Sequence, residues 1–562
     1  MSQLSENSIS NFRKETNWSL PGFIANYLRS NPSDVLVVDN EISIKYDTTI
    51  YYDIAKTLNP LLLFNKIKNY PDDKIVSNVL GSDERIAFVL GVDTHRAREK
   101  WNRLLLERRE PKVVNFSKKF GFNLSKYQEV DLGKIPVPIH FSQDGSSTGK
   151  NRYITGGLAV ARNPNDDNII NMSFTRIQLI SKNTYAFDLG SHGHMWRYIQ
   201  TASKLKKPLE ITVLIGAHPI FYLLAAAFLE NEYSVASAYH PFVFSEGINN
   251  KIPFPICSQY VIEADIQTGY EYPEGPFSEF TGYVSSRTTG NLAKVKTILR
   301  KRNPIYYDII PSNSTEHVGL FSFPRDAQIS ESLTKFVITD KKYEINWPRN
   351  GSHFVALISL PRENFHIGKQ IALSILGLDA LFTKFVIVKP NTILLNSLAN
   401  IFASLADSQK SLLQAIHIIP DVFQISLDPT SLNNKNGKAI IIAENKPNIM
   451  KDVVENQIRS IKTPNGSVEI SAFPTNQSKV TFVVPNFINL RDDSQLFWAL
   501  ATRVRPHIDI SFNNNSITIN AKGNGKQEVP SFPVKKESIK KINNVMNEFK
   551  KKWHHLDSAN QD

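Results

Sequence analysis

The chain has 562 residues, 41% of them hydrophobic and 21% charged, too many for one core and too apolar for a disordered chain, so two or three globular domains are expected. Its net charge of +12 admits an anionic partner. A single cysteine, Cys257, excludes an intrachain disulfide and a thiolate metal cage, which leaves oxygen and imidazole as metal donors.

The first residues, Met1 to Lys14, are polar and lack the apolar stretch of a secretory signal, which points to a cytoplasmic protein. From Trp18 to about Arg109, helical stretches such as Gly22–Arg29 alternate with short strands such as Asp34–Val38, as in an α/β domain, and His95–Arg109 reads as a basic surface helix. From Pro111 to about Phe323, short apolar runs are broken by Gly, Pro and Asn, with helices around Trp196–Lys204 and Pro219–Leu229; a mainly β domain is predicted. The apolar run Phe221–Leu229 falls far short of the roughly 20 residues that a bilayer-spanning helix needs, so no transmembrane segment is predicted.

After the loop Asn346–Ser352, the strand-like runs Phe354–Leu360 and Phe385–Val388 alternate with the helical run Ile371–Leu376, and a second α/β domain begins. Within it the stretch from Lys384 resembles the stretch from Lys479 at a constant offset, with identities including Val388/Val483, Pro390/Pro485, Asn391/Asn486, Phe402/Phe497 and Leu405/Leu500. A duplicated strand-turn-helix unit is expected. Near the C-terminus, Ile539, Ile542, Val545, Met546 and Phe549 recur at helical spacing, so lysines such as Lys540, Lys541 and Lys550 read as the solvated face of a terminal amphipathic helix and not as a nucleic-acid surface. The expected segments are 1–110, 111–330 and 350–550.

Polar groups able to do chemistry concentrate in the central segment: Asn171-Met-Ser173-Phe174-Thr175-Arg176, Ser191-His192-Gly-His194, Glu232, and Glu274-Gly-Pro-Phe-Ser-Glu279. Gly and Pro between the two glutamates predict a turn, which can aim both carboxylates inward for acid-base work. Glutamates beside Gly and Pro are also often solvated loop residues. Asn171, His192 and Glu232 offer a carbonyl, an imidazole and a carboxylate, a set suited to Mn²⁺ or Mg²⁺, with His194 a rival to His192.

The segment Arg152-Tyr-Ile-Thr-Gly-Gly157-Leu-Ala-Val-Ala-Arg-Asn-Pro, followed by Asn171 and Arg176, resembles the signature of the UbiD decarboxylases. Glu129-Val-Asp-Leu-Gly-Lys-Ile-Pro-Val-Pro-Ile-His before it and Val213-Leu-Ile-Gly-Ala-His-Pro after it are similar to the family's flanking pieces, in family order. The resemblance implies a multidomain α/β chain whose central domain is a split β-barrel binding prenylated FMN. It implies a metal, Mn²⁺ or Mg²⁺, on Asn171, His192 and Glu232, with K⁺ as a further ion. Ser173, Phe174, Thr175, Arg176 and Ser191 would line the cofactor, and Lys384 is the candidate for a lysine reaching the flavin phosphate.

By the same resemblance Arg176, Glu274 and Glu279 are the catalytic set. Glu279 is the proton donor, while Arg176 and Glu274 orient the substrate carboxylate and the flavin. The implied activity is reversible, non-oxidative decarboxylation of an aromatic or α,β-unsaturated acid. The implied partners are that small acid, a flavin prenyltransferase that makes the cofactor, and further copies of the chain in a dimer or hexamer, with no nucleic acid. The family tail Leu-Trp-Ala-Leu-Ala-Thr-Arg stands in the second copy as Phe497-Trp-Ala-Leu-Ala-Thr-Arg503, whereas the first reads Phe402-Ala-Ser-Leu-Ala-Asp. The acidic turn expected after the strand is replaced by Lys389-Pro-Asn-Thr and Val484-Pro-Asn-Phe. Those departures favour the rival reading, a non-catalytic binding protein on the same scaffold.

Overall fold

The computed structural model describes residues 18–523 except 127, 188, 190–192, 228, 270, 337–342, 394–396 and 476, together with residue 547. Ser191, His192 and the expected terminal amphipathic helix lie outside the described residues. By its contacts the chain divides into two units. The first holds residues up to Ser278, Val284–Pro324 and Val529–Asp562; the second holds Glu279–Tyr283 and Arg325–Glu528.

The first helix of the first unit, Leu20–Ser30, starts where Ser19 caps it by accepting from the Gly22 amide at 3.1 Å and where Pro21 sits in the first turn, missing a donor the helix would not use. The helix expected at His95–Arg109 runs over Ala97–Leu106 and is no mere surface element, because Trp101 and Leu104 are fully buried along one face. Four strands form a sheet in the order Val35–Val38, Leu61–Phe64, Lys74–Ser77 and Ile305–Asp308. The last is drawn from far along the chain and pairs in parallel with Lys74–Ser77, so this sheet takes strands from both sides of residue 110.

The rest of the first unit is organised by a ten-stranded sheet running Tyr153–Ile154, Ile177–Leu179, Thr184–Phe187, Val284–Lys301, Tyr260–Ile266, Leu209–Ile215, Gly157–Asn163 and Asp166–Phe174, with Tyr272–Ser278 and Phe122–Lys126 also paired to Val284–Lys301. Its ladders are antiparallel. Leu209–Ile215 is buried on both faces except at Glu210, which is why it reads as a continuous apolar run and not an alternating one. Among the described residues no helix is long and apolar enough to cross a membrane.

The second unit contains two sheets. The first is ordered Glu344–Asn346, Val355–Leu360, Phe385–Pro390, Lys435–Ile442, Ile416–Phe423, with antiparallel edges and parallel central pairs. The second runs Ile458–Thr463, Gly466–Ser471, Val480–Val483, Ser516–Asn520, Ile510–Asn513 in the same order and orientation, with Lys451–Glu455 added at one edge.

In each sheet the central strand leads through a turn into a helix, Leu398–Asp407 or Asp493–Arg503. Both turns close with the same bond, Ile393 N–H to the Pro390 carbonyl and Ile488 N–H to the Pro485 carbonyl, each at 3.1 Å. The similarity seen from Lys384 and Lys479 thus extends to five strands and a helix. Lys389, standing where the resemblance expects acid, is fully buried and donates to the Ile393 carbonyl at 2.7 Å.

Candidate active site

The strand Asp166–Phe174 carries the first half of the site. Its pairing sets Asn171 opposite Ala161 and Ser173 opposite Ala159, and side chains two apart share a face, so two polar groups project beside two of the smallest side chains. That face has room. The Asn171 Oδ1 and the Ser173 hydroxyl are buried there without a hydrogen-bond partner, and such orphaned polar atoms are unfavourable unless a further group meets them.

Glu232, the first residue of the helix Glu232–Tyr239, faces Asn171. One of its oxygens accepts from Asn171 Nδ2 at 2.9 Å and the other from the Met172 amide at 3.0 Å. Burial pushes its carboxyl up to about 8, although the amide donors from Met172 and Asn171 oppose the shift. A divalent cation would hold this carboxylate ionised and would take the free Asn171 carbonyl oxygen as a second donor.

Among the described residues no three His, Cys, Asp or Glu side chains gather into a metal-sized cluster, so a metal here depends on the amide. His194 approaches the pair, its Nδ1 lying 3.4 Å from Asn171 Nδ2. The donor set therefore fits a hard divalent ion. His192, the preferred ligand by sequence, is outside the described residues.

The second half is an ion pair. Arg176 Nε donates to both oxygens of Glu274, at 3.0 and 3.1 Å, and Nη2 donates to Oε2 at 2.6 Å. The Glu274 side chain has no exposure and that of Arg176 has 11%. Arg176 Nη1 also donates to Ser285 Oγ at 3.2 Å, and its guanidinium lies 5.0 Å over the Phe277 ring. A guanidinium gripped on one side by a buried carboxylate and backed by a ring keeps a fixed plane, which is what orienting a substrate carboxylate requires. Tyr153, from the signature segment, is buried beside this pair, and burial together with the Glu274 carboxylate raises its phenol.

The turn expected between Glu274 and Glu279 is corrected by the structure. Tyr272–Ser278 is a strand on Val284–Lys301, with the register broken on either side of Glu274. Gly275, at φ +103°, supplies the conformation that an L side chain rarely adopts. The segment after Gln143, missed by sequence reasoning, braces this irregular strand. The Gly145 amide donates to the Pro276 carbonyl at 2.7 Å and Ser147 Oγ to the Gly275 carbonyl at 2.7 Å. Asp144 Oδ1 accepts from the Ser278 amide at 2.9 Å and its hydroxyl at 2.7 Å, and burial pushes the Asp144 carboxyl up to about 7.

Glu279 follows Ser278 and opens the small Glu279–Tyr283 segment of the second unit. It is buried, with its amide donating to the Tyr283 carbonyl at 2.8 Å. Phe174, expected to line the cofactor, packs its ring against Tyr222 and Phe321, and Thr175 is buried. Lys384 is fully buried in the second unit, where its ammonium meets Asp428 at 3.0 Å and Thr430 at 2.9 Å. Gly156 in the signature permits a close approach of strands, since a Cβ there would lie 2.3 Å from the Tyr307 carbonyl oxygen.

Two consecutive stretches match the family models of the 3-octaprenyl-4-hydroxybenzoate carboxy-lyases: the N-terminal domain over residues 28–105 and the Rift-related UbiD domain over 113–314. The chain belongs to the UbiD family, a family of carboxy-lyases. It is 30% identical over 190 residues to an uncharacterized protein in the cooM 5′ region of Rhodospirillum rubrum, covering 32% of this chain and 40% of that protein. It is 28% identical over 287 residues to the anhydromevalonate phosphate decarboxylase of Methanosarcina mazei, covering 50% and 63%.

The chain thus spans less than two thirds of the length of both relatives. The corresponding decarboxylase of Methanothermobacter thermautotrophicus matches at 23% over 415 residues, 72% of this chain and 93% of that one. Among solved structures, the UbiD-class enzyme HmfF from Pelotomaculum thermopropionicum, in complex with FMN, superposes with TM-score 0.68 at 24% identity over 76% of this chain and 94% of that chain. The apo 3,4-dihydroxybenzoic acid decarboxylase AroY of Klebsiella pneumoniae gives 0.67 at 20% over the same shares. These likenesses show the fold.

Proposed function

We propose that the protein is a reversible, non-oxidative decarboxylase of an α,β-unsaturated or aromatic carboxylic acid that uses prenylated FMN and a divalent metal. The observation that carries the reading is the buried Arg176–Glu274 pair at the strand that leads directly into Glu279. In this reading the ten-stranded sheet forms the split barrel that holds the flavin. Asn171, Glu232 and a histidine, His192 or His194, would hold the metal, and Ser173 would line the cofactor. Lys384, its ammonium already held by Asp428, acts as a core cation.

The prenylated flavin, when bound, supplies the electron sink for the pair left on carbon as CO₂ departs. The chain's own residues do the rest. Arg176 orients the substrate carboxylate, Glu274 fixes the plane of Arg176, and Glu279 gives its proton to the carbon from which CO₂ has left. The bond broken is the C–C bond to the carboxylate, and one proton replaces the carbon dioxide lost. Anhydromevalonate phosphate, the compound in the names of two relatives, and 3,4-dihydroxybenzoic acid, in that of a structural neighbour, mark the aliphatic and aromatic ends of the substrate range to screen.

The test is co-expression with a flavin prenyltransferase, followed by the absorption spectrum, intact cofactor mass and metal content of the same sample. Prenylated flavin with about one Mn²⁺ or Mg²⁺ per site is expected, that being the ordinary complement of a carboxylate and carbonyl site. Folded protein lacking both would overturn the reading and favour the non-catalytic binding protein.

A further inference from the structure

The five residues Glu279–Tyr283 are gripped by the two similar halves of the second unit in different ways. The segment closes on itself, with the Glu279 amide donating to the Tyr283 carbonyl at 2.8 Å and the Gly282 amide to the Glu279 carbonyl at 2.9 Å. In the second half, Trp498 Nε1 donates to the Thr281 carbonyl at 2.8 Å, and its ring stacks on Tyr283 at 5.9 Å between centroids. Arg503 Nη1 donates to the Tyr283 hydroxyl at 2.8 Å while its Nε holds the Ala521 carbonyl at 2.8 Å. Gly282, at φ +79°, lets the backbone pass under the indole, because a Cβ there would lie 3.1 Å from Trp498 Nε1. The first half contributes an aromatic seat, with Phe280 beside His353, Phe354 and Phe382 at 5.1, 6.1 and 6.4 Å between centroids.

The two halves are not interchangeable in this role. At the offset of the repeat, Ala403 and Ser408 stand in the first half where Trp498 and Arg503 stand in the second. Neither has the reach or donor to hold a backbone carbonyl and a phenol at once. We infer that the second half of the repeat is the anchor of the Glu279 segment, and that Trp498 and Arg503 are positioning residues for the proton transfer from Glu279. This rests on the reading of Glu279 as the proton donor. The indole N–H and the guanidinium fix the segment's far end, as Asp144 fixes Ser278 immediately before Glu279. A carboxyl that must meet one carbon is then held from both sides along the chain.

The test uses the full-length, cofactor-loaded protein with Trp498→Phe, which keeps a ring to stack on Tyr283 and removes the N–H donor. Hydrogen exchange at the Glu279 and Gly282 amides is expected to accelerate. Flavin and metal content should match the wild type, kcat should fall about 10- to 100-fold, and KM should stay within about twofold, the split expected when orientation and not binding is lost. Ala403→Phe, at the matching place in the first half, is the comparison for effects of repacking the repeat and should leave exchange at those two amides unchanged. Unchanged exchange in Trp498→Phe, or faster exchange with unchanged kcat, would overturn the inference. A loaded wild-type protein that decarboxylates nothing overturns the reading beneath it instead, and the exchange result still reports whether Trp498 anchors the segment.

Discussion

Replacing Arg176 by methionine removes the cation and keeps most of the side-chain volume. Glu274, whose side chain has no exposure, then loses three hydrogen bonds from Nε and Nη2. Breaking a buried pair by removing one partner costs about 3–5 kcal/mol, because the remaining charge is left uncompensated. The 11% exposure of Arg176 admits some water and places the expectation near the lower end, about 3 kcal/mol. The double variant Arg176→Met, Glu274→Leu removes both charges, and it should be more stable than Arg176→Met alone. Denaturant unfolding measures the loss, and hydrogen exchange of the Tyr272–Ser278 strand assigns it to the first unit. A loss under about 1 kcal/mol for Arg176→Met, as for an exposed ion pair, would refute the argument.

Glu279→Gln is expected to abolish turnover while flavin and metal stay bound, read from product formation and the absorption spectrum together; surviving turnover would remove Glu279 as proton donor. Glu232→Ala should lower metal and flavin retention together, because it removes the carboxylate that accepts from Asn171; metal analysis and flavin absorbance on the same sample check this. Asp144 makes the pH dependence specific. Its carboxyl is raised from 3.8 to about 7 in the fold, so the folded state holds the extra proton between those values. The stability this gives is full below the unfolded value and is lost as pH rises through about 7. Thermal unfolding of Asp144→Asn, which cannot ionise, should therefore gain on the wild type between pH 5.5 and pH 8, a window bracketing the folded value; an unchanged difference would contradict the assignment.

What was legible in the sequence depended on whether a residue's role is fixed by neighbours in the chain. Asn171 and Arg176 sit five apart around one strand end and Glu232 opens a helix, and it is the family resemblance, not spacing alone, that points to them. The placement of Glu274 was misjudged because local propensity was read without its partner strand. Gly275 and Pro276 favour a turn in isolation, but pairing with Val284–Lys301 holds the segment extended and takes up the irregularity as register breaks. Asp144 left no signal, since Asp-Gly reads as a turn and its partner Ser278 lies 134 residues away. The repeat was visible as one strand, turn and helix because those positions face the core; the edge strands kept the pairing but not the residues.

The most direct test of the central claim is CO₂ release by protein loaded with prenylated flavin and Mn²⁺, offered a panel of α,β-unsaturated and aromatic acids in D₂O. The account predicts CO₂ in equal amount to a product carrying one deuterium at the carbon that lost the carboxylate, and neither from Glu279→Gln. Loaded, folded protein that releases CO₂ from none of the panel and exchanges no deuterium into the decarboxylated products would contradict it.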